Sequence, residues 1–246
     1  MTTLEQIEDY IRRREFVDYI MPIWLPFLPL LMIVFGGLLL ILTIPLPNRY
    51  YYTYYDDIMH EALIAYFLII YIVAIAINIY VVYKWVDRRN EHFKRQRLLF
   101  RSITDYLKSK GFEVGKLESI NMETEVEENE KNAILWALIQ FVPYVGVFLL
   151  LYVFHFLNKD FWKHERMEDQ FLSAVSSILA AYGINFTYSR MYSIPNRNTF
   201  VYILLLLVTL GLFSFYWVYT LTKDPNNHFV EHRRWEDTLL NALKSL

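Results

Sequence analysis

Cysteine is absent from the chain, which excludes disulfides, iron–sulfur clusters and Cys-ligated zinc and leaves the redox compartment undetermined. A glycine-rich phosphate loop, a G-x-S-x-G elbow and an S-x-x-K set are missing too, so no motif implies a nucleophile or a cofactor. The formal net charge of -2 lacks the surplus of clustered Lys and Arg that nucleic acid requires. The most informative absence is local. Residues 19–48, 62–83, 132–158 and 198–222 contain no Asp, Glu, Lys or Arg. The shortest of these is 22 residues long, and a helix crosses the hydrocarbon core with about 20.

What remains is 55% hydrophobic and 18% aromatic, with its charges segregated between the apolar runs. The expected fold is an all-α integral membrane protein with four apolar segments, transmembrane or partly re-entrant, and amphipathic interfacial helices. The spacing of Leu4, Ile7 and Ile11 suggests a short helix on the membrane surface ahead of the first span. Pro22, Pro26 and Pro29 delay the regular part of that span to about Leu30, and Gly36-Gly37 admit a neighbouring helix. The run is far longer than a signal-peptide core and reads as a retained span. Tyr50, Tyr51, Tyr52, Tyr54 and Tyr55 suit a loop in the headgroup region, and Asn78 is the notable polar residue of the second segment. Thereafter Lys84, Arg88, Arg89, Lys94, Arg95, Arg97 and Arg101 form a basic run expected to contact anionic lipid, on a helix from about Glu91 to Ser109. An acidic stretch from Glu113 to Glu130 reads as a solvated linker. Four regions follow: 1–111, the linker 112–131, then 132–198 and 199–246, each of the last two an apolar segment with a tail helix.

The tails resemble one another. Tyr80-Val81-Val82-Tyr83 aligns without gaps on Tyr216-Trp217-Val218-Tyr219, Asn90 on Asn226, His92-Phe93 on His228-Phe229, and Phe161 on Phe229. Residues 164–169 and 232–237 share the pattern H-x-R-x-E-D. A degenerate triple repeat is the expectation. Within the last copy, Thr209 to Tyr219 resembles the T-x-G-(I/L)-(Y/F)-x-x-(Y/F)-W-x-Y block of a family of small prokaryotic membrane proteins known only as a domain of unknown function. The resemblance covers about 40 residues from Phe200 onward and implies a membrane unit without an activity.

Under simple alternation the Lys and Arg count is 18 on one side and 6 on the other, which places both termini in the cytoplasm of a multi-pass cell-membrane protein. Direct repeats conflict with alternation, because their tails belong on one face. Four straight spans are the first expectation; the alternative, re-entrant hairpins at the third and fourth segments hinged at Pro143/Gly146 and Gly211, removes the conflict. His164 with Glu168 and His232 with Glu236 each stand four apart on one helix face and offer a metal two imidazoles and two carboxylates. The competing expectation is an ion-pair network in which Arg166, Arg233 and Arg234 neutralise those carboxylates. The function expected is a structural or interaction role, as a subunit of a membrane complex or a homo-oligomer in lipid. The alternatives are a passive channel past Asn78 or Gln140, or a metal-dependent membrane enzyme using the paired His and Glu.

Overall fold

The computed structural model describes residues 3–43 and 54–246, all helix, turn and loop, with no strand among the described residues. The tyrosines at 50–52 lie outside them. The helices are α1 (Thr3–Val17), α2 (Leu28–Thr43), α3 (Tyr54–Ser109), α4 (Gly115–Glu127), α5 (Ala133–Leu138), α6 (Gly146–Ala181), α7 (Thr199–Val208) and α8 (Phe213–Lys244).

The second apolar segment and the basic helix after it are one element. At 56 residues α3 is about 84 Å long, apolar in its first half and charged in its second. Its first half packs antiparallel on α2, where a Cβ on Gly36 would lie 3.1 Å from Ile70. Leu25–Leu42 and Glu61–Ser109 contain stretches long and apolar enough to cross a membrane. The third and fourth apolar segments do not continue as single helices. In the third, α5 passes into a 3-10 turn at Ile139–Phe141, Tyr144 adopts φ 66°, and α6 runs back. Gly146 is required there, because a Cβ would sit 2.1 Å from the Gln140 carbonyl oxygen. In the fourth, Leu210 at φ 50° and Gly211 at φ 92° reverse the chain between α7 and α8.

The second half of α3 joins α1, α4 and the distal parts of α6 and α8 in a bundle. Its core includes Ile7, Ile11, Leu99, Phe100, Leu117, Phe171, Trp235 and Leu239. The expected surface helix α1 is therefore a bundle helix, since its Ile7/Ile11 stripe is covered by protein. The expected acidic linker is also mostly helix. Leu117, Ile120 and Thr124 recur at helical spacing and bury one face of α4, while its glutamates line the other. Glu8 pairs with Lys244, so both ends of the chain lie in the same bundle.

Three of the seven residues of the basic run are internal. Arg88, Arg89 and Arg95 are each at most 3% exposed and cannot meet a membrane surface. Arg88 fills a backbone vacancy: Pro225 has no N–H for the Leu221 carbonyl one turn earlier, and Arg88 Nη2 donates to that oxygen at 2.9 Å. Arg89 pairs with Asp160, Arg97 donates to the Glu128 carbonyl, Arg101 pairs with Glu125 and Lys84 with Asp87. Lys94 alone of the seven is exposed and makes no ion pair or hydrogen bond among the described residues.

Two asparagines hold the entries to the apolar segments in matching fashion. Asn226 accepts from Met21 N–H (3.1 Å) and donates to Met21 C=O (2.7 Å). Asn90 does the same with Lys131, at 3.2 and 2.6 Å. Phe93, Phe161 and Phe229, which occur at equal intervals of 68 residues, meet in one buried cluster with Ile194.

Candidate metal centre

Directly beneath that phenylalanine layer, α3, α6 and α8 bring four histidines together. His92 comes from α3 and His164 from α6, while His228 and His232 stand one turn apart on the same face of α8. One ring nitrogen of each lies within 4.8 Å of the others, and every ring is at most 2% exposed. Phe93 stacks on His164 at 4.2 Å between centroids, and Phe229 lies 4.5 Å from His92. Trp235 closes the opposite side, 5.0 Å from His232. The centre therefore sits between two apolar layers.

The two nitrogens of each ring face different surroundings. His92 Nδ1 lies 2.8 Å from Asp18, His164 Nδ1 2.6 Å from Glu128, His232 Nδ1 3.2 Å from Glu236 and His228 Nδ1 3.4 Å from Glu165. The Nε2 atoms turn inward. Those of His228 and His232 are 3.0 Å apart, and Glu168 Oε2 lies 3.0 Å from His232 Nε2, 3.6 Å from His228 Nε2 and 3.8 Å from His164 Nε2. The Nε2 atoms of His92 and His164 are buried with no hydrogen-bond partner. Buried polar atoms are normally satisfied, so two orphaned acceptors aimed at one point require an explanation.

A cation supplies it. Around a tetrahedral ion with metal–nitrogen bonds of about 2.0–2.1 Å, neighbouring nitrogens lie about 3.3 Å apart, within the spread observed. A carboxylate within hydrogen-bond distance of Nδ1 fixes the rings of His92, His164 and His232 and leaves their Nε2 lone pairs for the ion, whereas His228 Nδ1, 3.4 Å from Glu165, makes no hydrogen bond. Burial, reinforced by His232 and His164, holds His92 well below the usual imidazole range, and burial with His232 does the same to His228. Both are therefore neutral and able to ligate. Burial opposes charge on His232, but Glu168 and Glu236 outweigh it and lift the ring to about 9. Burial would likewise raise Glu168, yet His232 and Arg190 keep it well below the ordinary carboxylate range and ionised.

Three of the four residues expected from the sequence, His164, Glu168 and His232, face the centre. Glu236 does not: it stands behind His232 and bridges to Arg95 (2.7 Å) and Arg14 (3.3 Å). The arginines expected to neutralise the carboxylates are different ones. Arg166, Arg233 and Arg234 are exposed, whereas Arg190, from the segment between α6 and α7, lies 3.0 Å from Glu168. His92 and His228 were visible in the repeat as the aligned His-Phe pairs. Their adjacency to Phe93 and Phe229 disguised them as structural residues, and His92 has no carboxylate one turn away.

A cavity of about 260 Å³ between α4 and α6 reaches His164 and Glu128 from the surface, with Glu123, Glu127 and Asp160 on its wall. Arg89, Lys163 and Arg166 line it as well, and Arg89 and Lys163 pair with Asp160 and Glu127. A family described as "Domain of unknown function (DUF4234)" matches residues 197–240, which include α7, His228 and His232. No curated protein and no solved structure matches the chain.

Proposed function

We propose that this protein is a membrane-anchored helical bundle whose three principal helices are stapled by one divalent transition-metal ion, and that it serves a structural or interaction role in the bilayer. The observation that carries the reading is the convergence of one ring nitrogen from each of four buried histidines beside Glu168, with a carboxylate at the Nδ1 of His92, His164 and His232. Imidazole with one carboxylate, and no thiolate, suits a borderline ion such as Zn²⁺, Fe²⁺, Co²⁺ or Ni²⁺. Four imidazole donors and full burial favour a closed structural centre over a hydrolytic one, which keeps a position open for water or substrate. The ion would tie α3, α6 and α8 together, and through Asp18 and Glu128 it would also fix the entry to α2 and the end of α4.

The α2–α3 pair supplies the membrane anchor. The exposed apolar residues along both helices, among them Val34, Phe35, Leu38, Ile69 and Ile72, support lipid as their surroundings. The shared placement of the chain ends supports a common side for both, which the Lys and Arg count assigns to the cytoplasm. The matching asparagine clamps and the evenly spaced phenylalanines support descent of the three apolar hairpins from one unit.

The test is the metal content of the purified protein, measured by elemental analysis for wild type and for His92→Ala, His228→Ala and His155→Ala. His155 is bonded to Thr199, outside the cluster, and serves as the control. About one ion per chain is expected in the wild type and the control, with loss in the other two. A wild type that holds no ion after purification and after reconstitution with each of the four metals overturns the reading.

A further inference from the structure

The geometry points to lipid contact by the α5–α6 and α7–α8 hairpins, which enter the leaflet nearest the bundle and turn back at about half its neighbour helix's depth, without crossing the bilayer. This inference rests on the membrane reading of α2 and α3.

Length is the first argument. From the base of α6 at Asn158 to its start at Gly146 is 12 residues, about 18 Å, and from Lys223 to the start of α8 at Phe213 is 10 residues, about 15 Å. In α3 the apolar stretch from Glu61 to Lys84 is 23 residues, about 35 Å. Against a hydrocarbon core of about 30 Å, α3 is a full span and each hairpin half of one. Their bases share one level, because Val81, Val82, Trp85, Phe154, Leu157, Trp217 and Leu221 form a single cluster across the three helices. The first charged residues follow on every strand of the chain there: Lys84, Lys131, Lys159, Arg197 and Lys223.

Surface is the second. Above that level the hairpins present apolar side chains to their surroundings, with Tyr144 at 97% and Leu210 at 94% exposure at the tips and Phe148, Phe200, Leu207 and Leu212 on the flanks. Water would leave this patch unsatisfied, and it is continuous in level with the exposed apolar faces of α2 and α3.

Backbone accounting is the third. A turn inside hydrocarbon must satisfy its own donors. In the α7–α8 turn every N–H from Thr209 to Phe215 has an acceptor within the turn: Leu205, Leu207, Leu206 and Thr209 carbonyls, the Thr209 hydroxyl, then the Gly211 and Leu212 carbonyls. In the α5–α6 turn Pro143 has no N–H, Val142, Val145 and Gly146 donate locally and the Gln140 amide folds back onto the Ala137 carbonyl at 2.8 Å, while the N–H groups of Tyr144, Val147 and Phe148 have no protein acceptor among the described residues, so the accounting closes fully for the α7–α8 turn alone.

The absence of cysteine allows single-cysteine variants of the full chain. In proteoliposomes, Tyr144→Cys and Leu210→Cys probe the tips, Ile72→Cys the exposed middle of α3, and Met122→Cys and Met191→Cys the exposed bundle surface on either side of the α5–α6 hairpin. A membrane-impermeant maleimide should label Met122→Cys and Met191→Cys from the same face. It should label the tips and Ile72→Cys only after detergent, and fluorophores on the tips should be quenched most by lipids brominated deep in the acyl chain. Labelling of positions 122 and 191 from opposite faces overturns the inference in favour of a crossing segment. Tips labelled from water while Ile72→Cys stays protected overturn it and leave the membrane reading standing, whereas labelling of Ile72→Cys without detergent removes that reading itself. Tips that are protected but unquenched, and that form disulfides between chains, assign the surface to a second copy and also overturn lipid contact.

Discussion

The two halves of α3 obey opposite rules along one unbroken helix. Before Lys84 its side chains are apolar and point outward, with Ile64, Leu68, Ile69 and Ile72 exposed. After Lys84 it turns Arg88, Arg89, His92 and Arg95 inward and places them against Asp18, Asp160, Asn226 and Glu236. The difference teaches that a charged run beside an apolar segment can be core as readily as surface. Charge is admitted inside the bundle because each cation finds an acceptor, and because a ring of carboxylates around four imidazoles creates a demand for positive charge.

The comparison breaks most visibly at Arg95, which is 3% exposed and bridges Asp18 and Glu236. Arg95→Ala strands two buried carboxylates and should cost about 3–5 kcal/mol of stability, read from chemical or thermal unfolding in detergent. The complementary change adds charge to the other half. Ile72→Lys faces outward from the apolar stretch and should disfavour membrane insertion by about 2.5–3.5 kcal/mol, seen as a larger soluble or misinserted fraction on fractionation. A smaller effect is expected at the hairpin turn. Gly146→Ala puts a Cβ 2.1 Å from a backbone oxygen, and the shift it forces should cost about 1–3 kcal/mol, measurable as a lowered melting temperature with the metal content retained. Arg101→Ala, in the same basic run as Arg95 but paired with Glu125 in solvent, should change stability by at most about 1 kcal/mol. Equal effects at Arg95 and Arg101 would erase the distinction between the halves.

Much of the apolar half is legible in the sequence, because charge-free runs and helix length are properties of composition. The α2 and α3 stretches follow from it, whereas the reversals at Pro143/Gly146 and Gly211 interrupt two segments whose composition reads first as straight spans. The bundle half was harder to read. Glutamates at 123, 125, 127 and 130 overshadowed the Leu117, Ile120, Thr124 stripe that makes α4 a packed helix. The i,i+4 rule found His164 with Glu168 and His232 with Glu236, since those contacts lie within one helix. It could not find His92, whose carboxylate partner Asp18 is 74 residues away in sequence, or Arg190, which reaches Glu168 from a loop. Such contacts are set by which helices meet, and that information lay in the alignment of His92-Phe93 on His228-Phe229.

The most direct measurement is metal K-edge X-ray absorption on the metal-loaded, purified protein. The result expected is a first shell of nitrogen and oxygen scatterers at about 2.0–2.2 Å, with outer-shell scattering from four imidazoles that falls to three in His92→Gln. An ion bound by oxygen alone, or an imidazole count unchanged in His92→Gln, would contradict a centre built from His92, His164, His228, His232 and Glu168.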